Sequence, residues 1–231
     1  MRKNMIVVIG LLTLFVAGCA DGVNQPVDVA DGEHRDGDIQ VVNGDITLGE
    51  AAEVAGNLRT VNGGIRLGTG AKARAVETVN GRVRLGEESQ VDSVETVNGG
   101  IVLRENARSA GSVQSVNGSI TLRSGAEVTG EVANVNGNIR LESARIDGSI
   151  RTRSGDVHLL EGSELTGDLQ IGEVRRGDRD RRPYVVVGRD SRVGGEILAE
   201  RRIRLYVHES AEIGSVEGAE VERYTGEPPR S

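Results

Sequence analysis

Acid–base catalysis needs a base and a nucleophile within reach of each other, and the chain offers only His34, His158 and His208 as imidazoles. His158, Asp178, Asp180 and Tyr184 lie close enough in sequence to meet beside one segment, as in an enzyme that cleaves a polysaccharide. Against this, Trp is absent, Phe occurs once and Tyr three times, so no aromatic platform for stacking a sugar ring is expected. No calcium-binding nonapeptide and no His or Cys cluster with metal-ligand spacing occurs, and neither metal nor cofactor is expected. Arg176-Gly177-Asp178 is a tripeptide short enough to recur by chance. The arginines around it (Arg175, Arg176, Arg179, Arg181 and Arg182) make a better candidate for contact with a partner, although Asp178 and Asp180 compensate them.

Two rows of polar residues recur at regular intervals. Asn43, Asn62, Asn80, Asn98, Asn117 and Asn136 are each followed by Gly. Such a row could bind a polar ligand. Its place at successive turns favours instead a ladder in which each amide bonds the next. Thr60, Thr78, Thr96, Ser115 and Thr152 read as a stacking row beside it. Arg66, Arg84, Arg140 and Arg204 share an outward position with Thr47, Val102, Thr121 and His158. These arginines suit the anions of an envelope polysaccharide, or else form a solvated face paired with acids such as Glu77, Glu87 and Glu95.

The elements that position these rows follow from a repeat. Thr60-Val61-Asn62-Gly63-Gly64-Ile65-Arg66-Leu67 returns at Thr78 to Leu85, Thr96 to Leu103, Ser115 to Leu122 and Asn134 to Leu141. Rungs begin at Ile39, Leu58, Val76, Val94, Val113, Val132, Ile150, Leu169, Ile197 and Val216, spaced by 18 or 19 residues except for one rung of 28. A period near 20 signals a solenoid. Within a rung, apolar residues alternate at positions 8 and 10 and again at 14, 16 and 18, which is the period of a strand. The expected fold is all-β, with almost no helix: a single-stranded parallel β-solenoid, a three-sided right-handed β-helix of about ten rungs spanning 37–225. Its inward set includes Ile46, Leu48, Ile65, Leu67, Val83, Leu85, Ile101, Leu103, Ile120, Leu122, Ile139 and Leu141. Parity conflicts at the first corner. Counting back from position 8 puts Val at 4 inside, and counting forward from 1 puts Asn at 5 inside. Gly at 6 would let the chain bend through positive φ. The long rung places its extra residues at 175–183, and 226–231 form a tail whose prolines and charges suit a cap.

The N-terminus gives an address. Arg2 and Lys3 precede the apolar run Met5 to Val16, too short for a membrane span. Val16-Ala17-Gly18-Cys19 resembles the lipobox of bacterial lipoproteins, and Cys19 is the only Cys in the chain. The resemblance implies that 1–18 is removed as a signal peptide and that Cys19 carries acyl chains. It also implies a membrane partner, with the outer membrane, periplasmic face, expected because Ala20 rather than an acid follows the Cys. Residues 19–36 would then hold the lipidated Cys and a flexible tether reaching up to about 55 Å. Loss of 1–18 removes Arg2 and Lys3 and no acid, so the formal charge of −7 becomes −9. That acidity argues against a nucleic-acid partner and against broad adhesion to anionic lipid.

The Thr-Val-Asn-Gly rungs from Ile39 to about Leu159 resemble those of bacterial adhesin-type β-solenoids. Weaker resemblances are to bactofilins, which are polymer-forming β-helical scaffolds, and, in Leu85 to Gln90, to hexapeptide acyltransferases, whose phase the 19-residue rungs break. These resemblances imply a lipid-anchored, non-catalytic structural or interaction module facing an envelope polysaccharide or another envelope protein. A β-helix-type carbohydrate-active enzyme and a self-assembling scaffold are the alternatives.

Overall fold

The computed structural model describes residues 24–173 and 182–229. Among them there is no helix, and all strand pairing is parallel. The chain winds through a β-solenoid of about ten turns. Each turn contributes one strand to each of three faces. The first face holds ten strands, from Ile39–Asn43 to Val216–Glu217. The second holds eleven, from Val27–Val29 to Val221–Tyr224. The third is narrow, built of two-residue strands from His34–Arg35 to Glu212–Ile213, with Lys72 bridging Glu53 and Gln90. Eleven strands stacked about 4.8 Å apart make a rod roughly 48 Å long.

The repeat sets the register. Ile46 pairs with Ile65, which pairs with Val83, and that residue with Ile101, so each apolar side chain meets its own equivalent. Ile39, Leu58, Val76, Val94 and Val113 line the first face from within, and the expected set from Ile46 to Leu141 lines the second; all are buried. Burial of each large aliphatic side chain contributes roughly 1.5–3 kcal/mol. Toward the third face the interior narrows, and the buried residues shrink to Ala52, Ala71, Ser89, Ala107 and Ala126. Where Ser replaces Ala its hydroxyl is satisfied locally, as Ser89 shows by donating to the Gly86 carbonyl at 2.7 Å.

The rod starts earlier than the repeat announces. Val27–Val29 pairs with Ile46–Leu48, and Val29 is buried; His34–Arg35 pairs with Glu53–Val54. Most of the segment expected as a tether is therefore the first turn. Two valines are too few to display a period, and the Asn-Gly of later turns is missing there. Only residues 20–26 separate Cys19 from the first strand.

The first corner resolves the parity conflict in favour of neither count, since Val at 4 and Asn at 5 both face outward. Position 3, not 4, points inward. Thr60, Thr78, Thr96 and Ser115 are buried, whereas Val61, Val79, Val97 and Val116 are half-exposed. Each buried hydroxyl donates to the carbonyl of the corner glycine one turn earlier: Thr60 to Gly44 at 3.0 Å, Thr78 to Gly63 at 2.9 Å, Thr96 to Gly81 at 3.2 Å and Ser115 to Gly99 at 3.0 Å. That bond lets a polar residue occupy the core.

The corner glycines are not there for positive φ, since none from Gly44 to Gly118 adopts it. They are there because the turns touch. A Cβ on Gly81 would lie 1.8 Å from the Gly63 carbonyl oxygen, and one on Gly99 1.8 Å from that of Gly81. Positive φ occurs instead at the second corner, where Ala51, Glu88, Asn106, Ser143, Glu161 and Asp190 hold φ between 50 and 58°. A left-handed conformation costs a non-glycine residue about 1–2 kcal/mol. Two substitutions should therefore act in opposite directions in thermal unfolding. Gly81→Ala should lower the midpoint sharply, because backbone must shift. Glu88→Gly should raise stability by about 1 kcal/mol, the reverse of the usual penalty for glycine.

Candidate functional site

The outward rows differ in character from face to face. At the first corner the amides form one continuous line. Asn62 Nδ2 donates to Asn43 Oδ1 at 2.7 Å, and Asn80, Asn98, Asn117 and Asn136 each donate to the preceding Asn at 2.9 Å. The line begins one turn earlier than the sequence reading placed it, with Asn43 donating to Asn24 at 2.8 Å. Asn24 escaped notice because Gln25, not Gly, follows it. Each inner amide spends its carbonyl and one N–H on its neighbours, so the row is a spine.

On the third face the outward residues run His34, Glu53, Lys72, Gln90, Arg108, Glu127, Arg145, Glu164, Arg192, Glu212 in successive turns. From Arg108 the charges alternate strictly. Arg108 meets Glu127 at 3.4 Å, Arg192 meets Glu212 at 3.6 Å, and Arg145 bonds both Glu164 and, at 2.7 Å, Asp147. A groove of about 440 Å³ crosses this face, lined by Lys72 and Arg108 but equally by Asp92 and Glu127. Its charges cancel. The alternation was not read from the sequence, though the rung count puts each of these residues at one position.

The first face carries Arg59, Glu77 and Glu95 in adjacent turns. Arg59 bonds Glu77 at 3.1 Å and Asp38 at 3.3 Å. Glu95, one turn farther, makes no ion pair among the described residues; one of its carboxylate oxygens is buried with no hydrogen-bond partner there. Burial, and then the neighbouring Glu77 charge, pushes its carboxyl up from the ordinary 4.5.

The second face concentrates the remaining features. Its central outward column runs Thr47, Arg66, Arg84, Val102, Thr121, Arg140, His158, Val186, Tyr206. Arg66, Arg84 and Arg140 stand in it as expected. Arg204 does not, because it pairs with Tyr184 and Tyr206 takes the column position; the Arg204 guanidinium lies 5.3 Å over the Tyr184 ring. Arg66 bonds Asp45 at 2.7 Å, and Arg140 bonds Glu142 at 2.5 Å. Arg84 has no ion pair among the described residues, and the same holds for Arg82 just before it and Arg104 in the next turn. Arg66, Arg84 and Arg104 line a groove of about 200 Å³ floored by Gly68 and Gly86, with Glu87 as its acid.

At the far end of this face the aromatic residues gather into one cluster, with Tyr184 itself buried. Tyr184 lies 5.1 Å from Tyr206 and 5.7 Å from His158, and Tyr224 meets His208 edge-on at 5.2 Å. All three tyrosines and two of the three histidines converge there. The 28-residue rung hid them: only with the long rung in register do Tyr184, Tyr206 and Tyr224 fall on one face. His158 is half-buried, and burial, followed by the Arg140 charge, lowers its pKa below 6.5. The Tyr184 amide donates to Asp156 at 2.9 Å. Arg175, Arg176, Asp178, Arg179, Asp180 and Arg181 lie outside the described residues, as does Cys19; Arg182 is exposed.

No protein-family model, no curated protein and no solved structure matches the chain.

Glu95 gives a test of these electrostatics. A carboxyl whose pKa is raised by folding stabilises the fold below the unfolded value of 4.5 and loses that contribution as pH rises through the folded value. Glu95→Gln should therefore raise the thermal midpoint at pH 7, and the gain should vanish when both proteins are unfolded below pH 4.5. An equal gain at both pH values would show that charge is not the cause.

Proposed function

We propose that the chain is a lipid-anchored, non-catalytic β-solenoid of the bacterial cell envelope, acting as a structural or interaction module at the periplasmic face of the outer membrane. The observation that carries this reading is the position of the first strand. Val27 lies eight residues after Cys19, a chain length of at most about 28 Å. An acylated Cys19 would hold the first turn close to the bilayer, with the remaining turns stacked beyond it. More than one acyl chain anchors stably where a single one binds only marginally. The rod then presents long, regular faces to an envelope polysaccharide or to another envelope protein.

Replacing Cys19 with Ser should move the protein from the membrane fraction to the soluble fraction of fractionated cells. Retention in the membrane would refute the anchor.

A carbohydrate-active enzyme is the second reading, favoured by one observation: His158, held neutral by burial, stands beside Tyr184 in the aromatic cluster. It requires the purified protein to shorten an envelope polysaccharide, and His158→Ala to abolish that activity while leaving the thermal midpoint near that of the parent. Absence of any depolymerisation by the parent protein would remove this reading and favour the first.

A further inference from the structure

The second face breaks a rule that the third face keeps. Stacked turns set equivalent residues opposite one another, and like charges directly opposite destabilise a sheet. The third face answers with alternation. On the second face Arg66 pairs directly with Arg84, Arg82 sits two residues before Arg84, and Arg104 lies in the following turn. Of these four, only Arg66 makes an ion pair among the described residues, with Asp45. Arg82, Arg84 and Arg104 make no ion pair and no side-chain hydrogen bond among the described residues. The chain as a whole is acidic, with 35 Asp and Glu to 28 Lys and Arg, so acids were available to pair them. The glycines add room. Gly68 and Gly86 floor the groove between the arginines, and Gly100 would place a Cβ 3.9 Å from Arg82 Nε, so that guanidinium lies across bare backbone.

We propose that this face binds a linear acidic polysaccharide, with Arg82, Arg84 and Arg104 supplying the counter-charge to successive oxyanions along it. The inference rests on the reading of the rod as an interaction module. Guanidinium groups are suited to this, because their paired N–H donors match carboxylate and phosphate oxygens. Nucleic acid and an anionic bilayer are disfavoured because the rest of the surface is acidic and would repel a broad anionic partner. A thin chain lying along one column avoids those acids. The column is long enough for a polymer. From Arg66 through Arg84 and Arg140 to His158 it runs five turns, roughly 24 Å at strand spacing, before the buried Val186.

The test uses the purified full chain and three polymers: polygalacturonate, which carries carboxylates; a phosphomannan, which carries phosphodiesters; and neutral mannan. At least one acidic polymer should bind, with an affinity that falls as salt rises, and neutral mannan should not; which acidic polymer binds distinguishes carboxylate from phosphate. Arg84→Ala with Arg104→Ala should weaken binding at least about tenfold. Its thermal midpoint should stay level or rise, since like charges are removed. Arg108→Ala, which removes an arginine of the alternating third face, should leave binding within about twofold, less than one charge-assisted contact is worth. Failure of both acidic polymers to bind, equal binding of neutral mannan, or an equal loss in Arg108→Ala would overturn the proposal. None of these outcomes involves Cys19, so the anchored-rod reading stands or falls separately on its own fractionation.

Discussion

In a parallel solenoid every side chain faces its own repeat about 4.8 Å away, and the rest of this structure follows from that like-on-like constraint. It selects residues that tolerate themselves as neighbours. Aliphatic side chains do, and they fill the interior. Amides do, because each carries both a donor and an acceptor, and the line from Asn24 to Asn136 uses both. Glycine does so at the shortest distance. At the Asn-Gly corner the turns approach until no Cβ fits, and the buried Thr or Ser of one turn bonds the glycine carbonyl of the last. Thr-Val-Asn-Gly is thus one device: the hydroxyl satisfies a buried carbonyl, Val covers the outside, Asn joins the spine and Gly admits the next turn.

Charged side chains do not tolerate themselves, so their arrangement carries information that the core lacks. Along the third face Arg and Glu alternate from Arg108 to Glu212, and each sign finds the other above or below it. An exposed pair of this kind adds about 0.2–1 kcal/mol, but a shift of one turn would bring like charges together all along the face. The alternation therefore opposes slippage, which the self-similar core alone would permit. Two places depart from it. Glu77 and Glu95 adjoin on the first face, and the second of them is left with a raised pKa. Arg66, Arg82, Arg84 and Arg104 gather on the second, where three of the four make no ion pair among the described residues.

The sequence showed the period, the strand character and most of the inward set, because apolar alternation survives wherever a strand is regular. It misled at the corner. Counting parity assumes a continuous pleat, and the chain abandons the pleat between Thr60 and Ile65, so neither count placed Val61 and Asn62 both outside. It also misassigned the glycine, since close approach of two turns is a tertiary fact with no local signature. Val27 and Val29 looked like part of a tether because one turn shows no repeat. The tyrosines looked scattered because a rung of 28 residues interrupts the count just where they begin. Once register is known, the charge alternation, the arginine cluster and the aromatic cluster can all be found by reading down a column rather than along the chain.

That interruption also separates two kinds of rod. Up to Asn136 the turns are nearly identical and are held by the Asn spine and the glycine stack. After the interruption the spine has ended, and aromatic packing takes over. All four residues of the strand Tyr184–Val187 are buried, including Val186, whose alternation points it outward. The tail explains part of this. The Tyr184 hydroxyl donates to the Pro229 carbonyl, so the segment after the last strand folds back toward the cluster. A solenoid is held chiefly by contacts between neighbouring turns, and its last turn has none on one side. Glu222 and Arg223 put charge on that edge, which opposes templating of another strand. Tyr184 stands two turns before the last strand, and Val221–Tyr224 is itself largely exposed, so the bond lays the tail beside the second face rather than across the end of the stack.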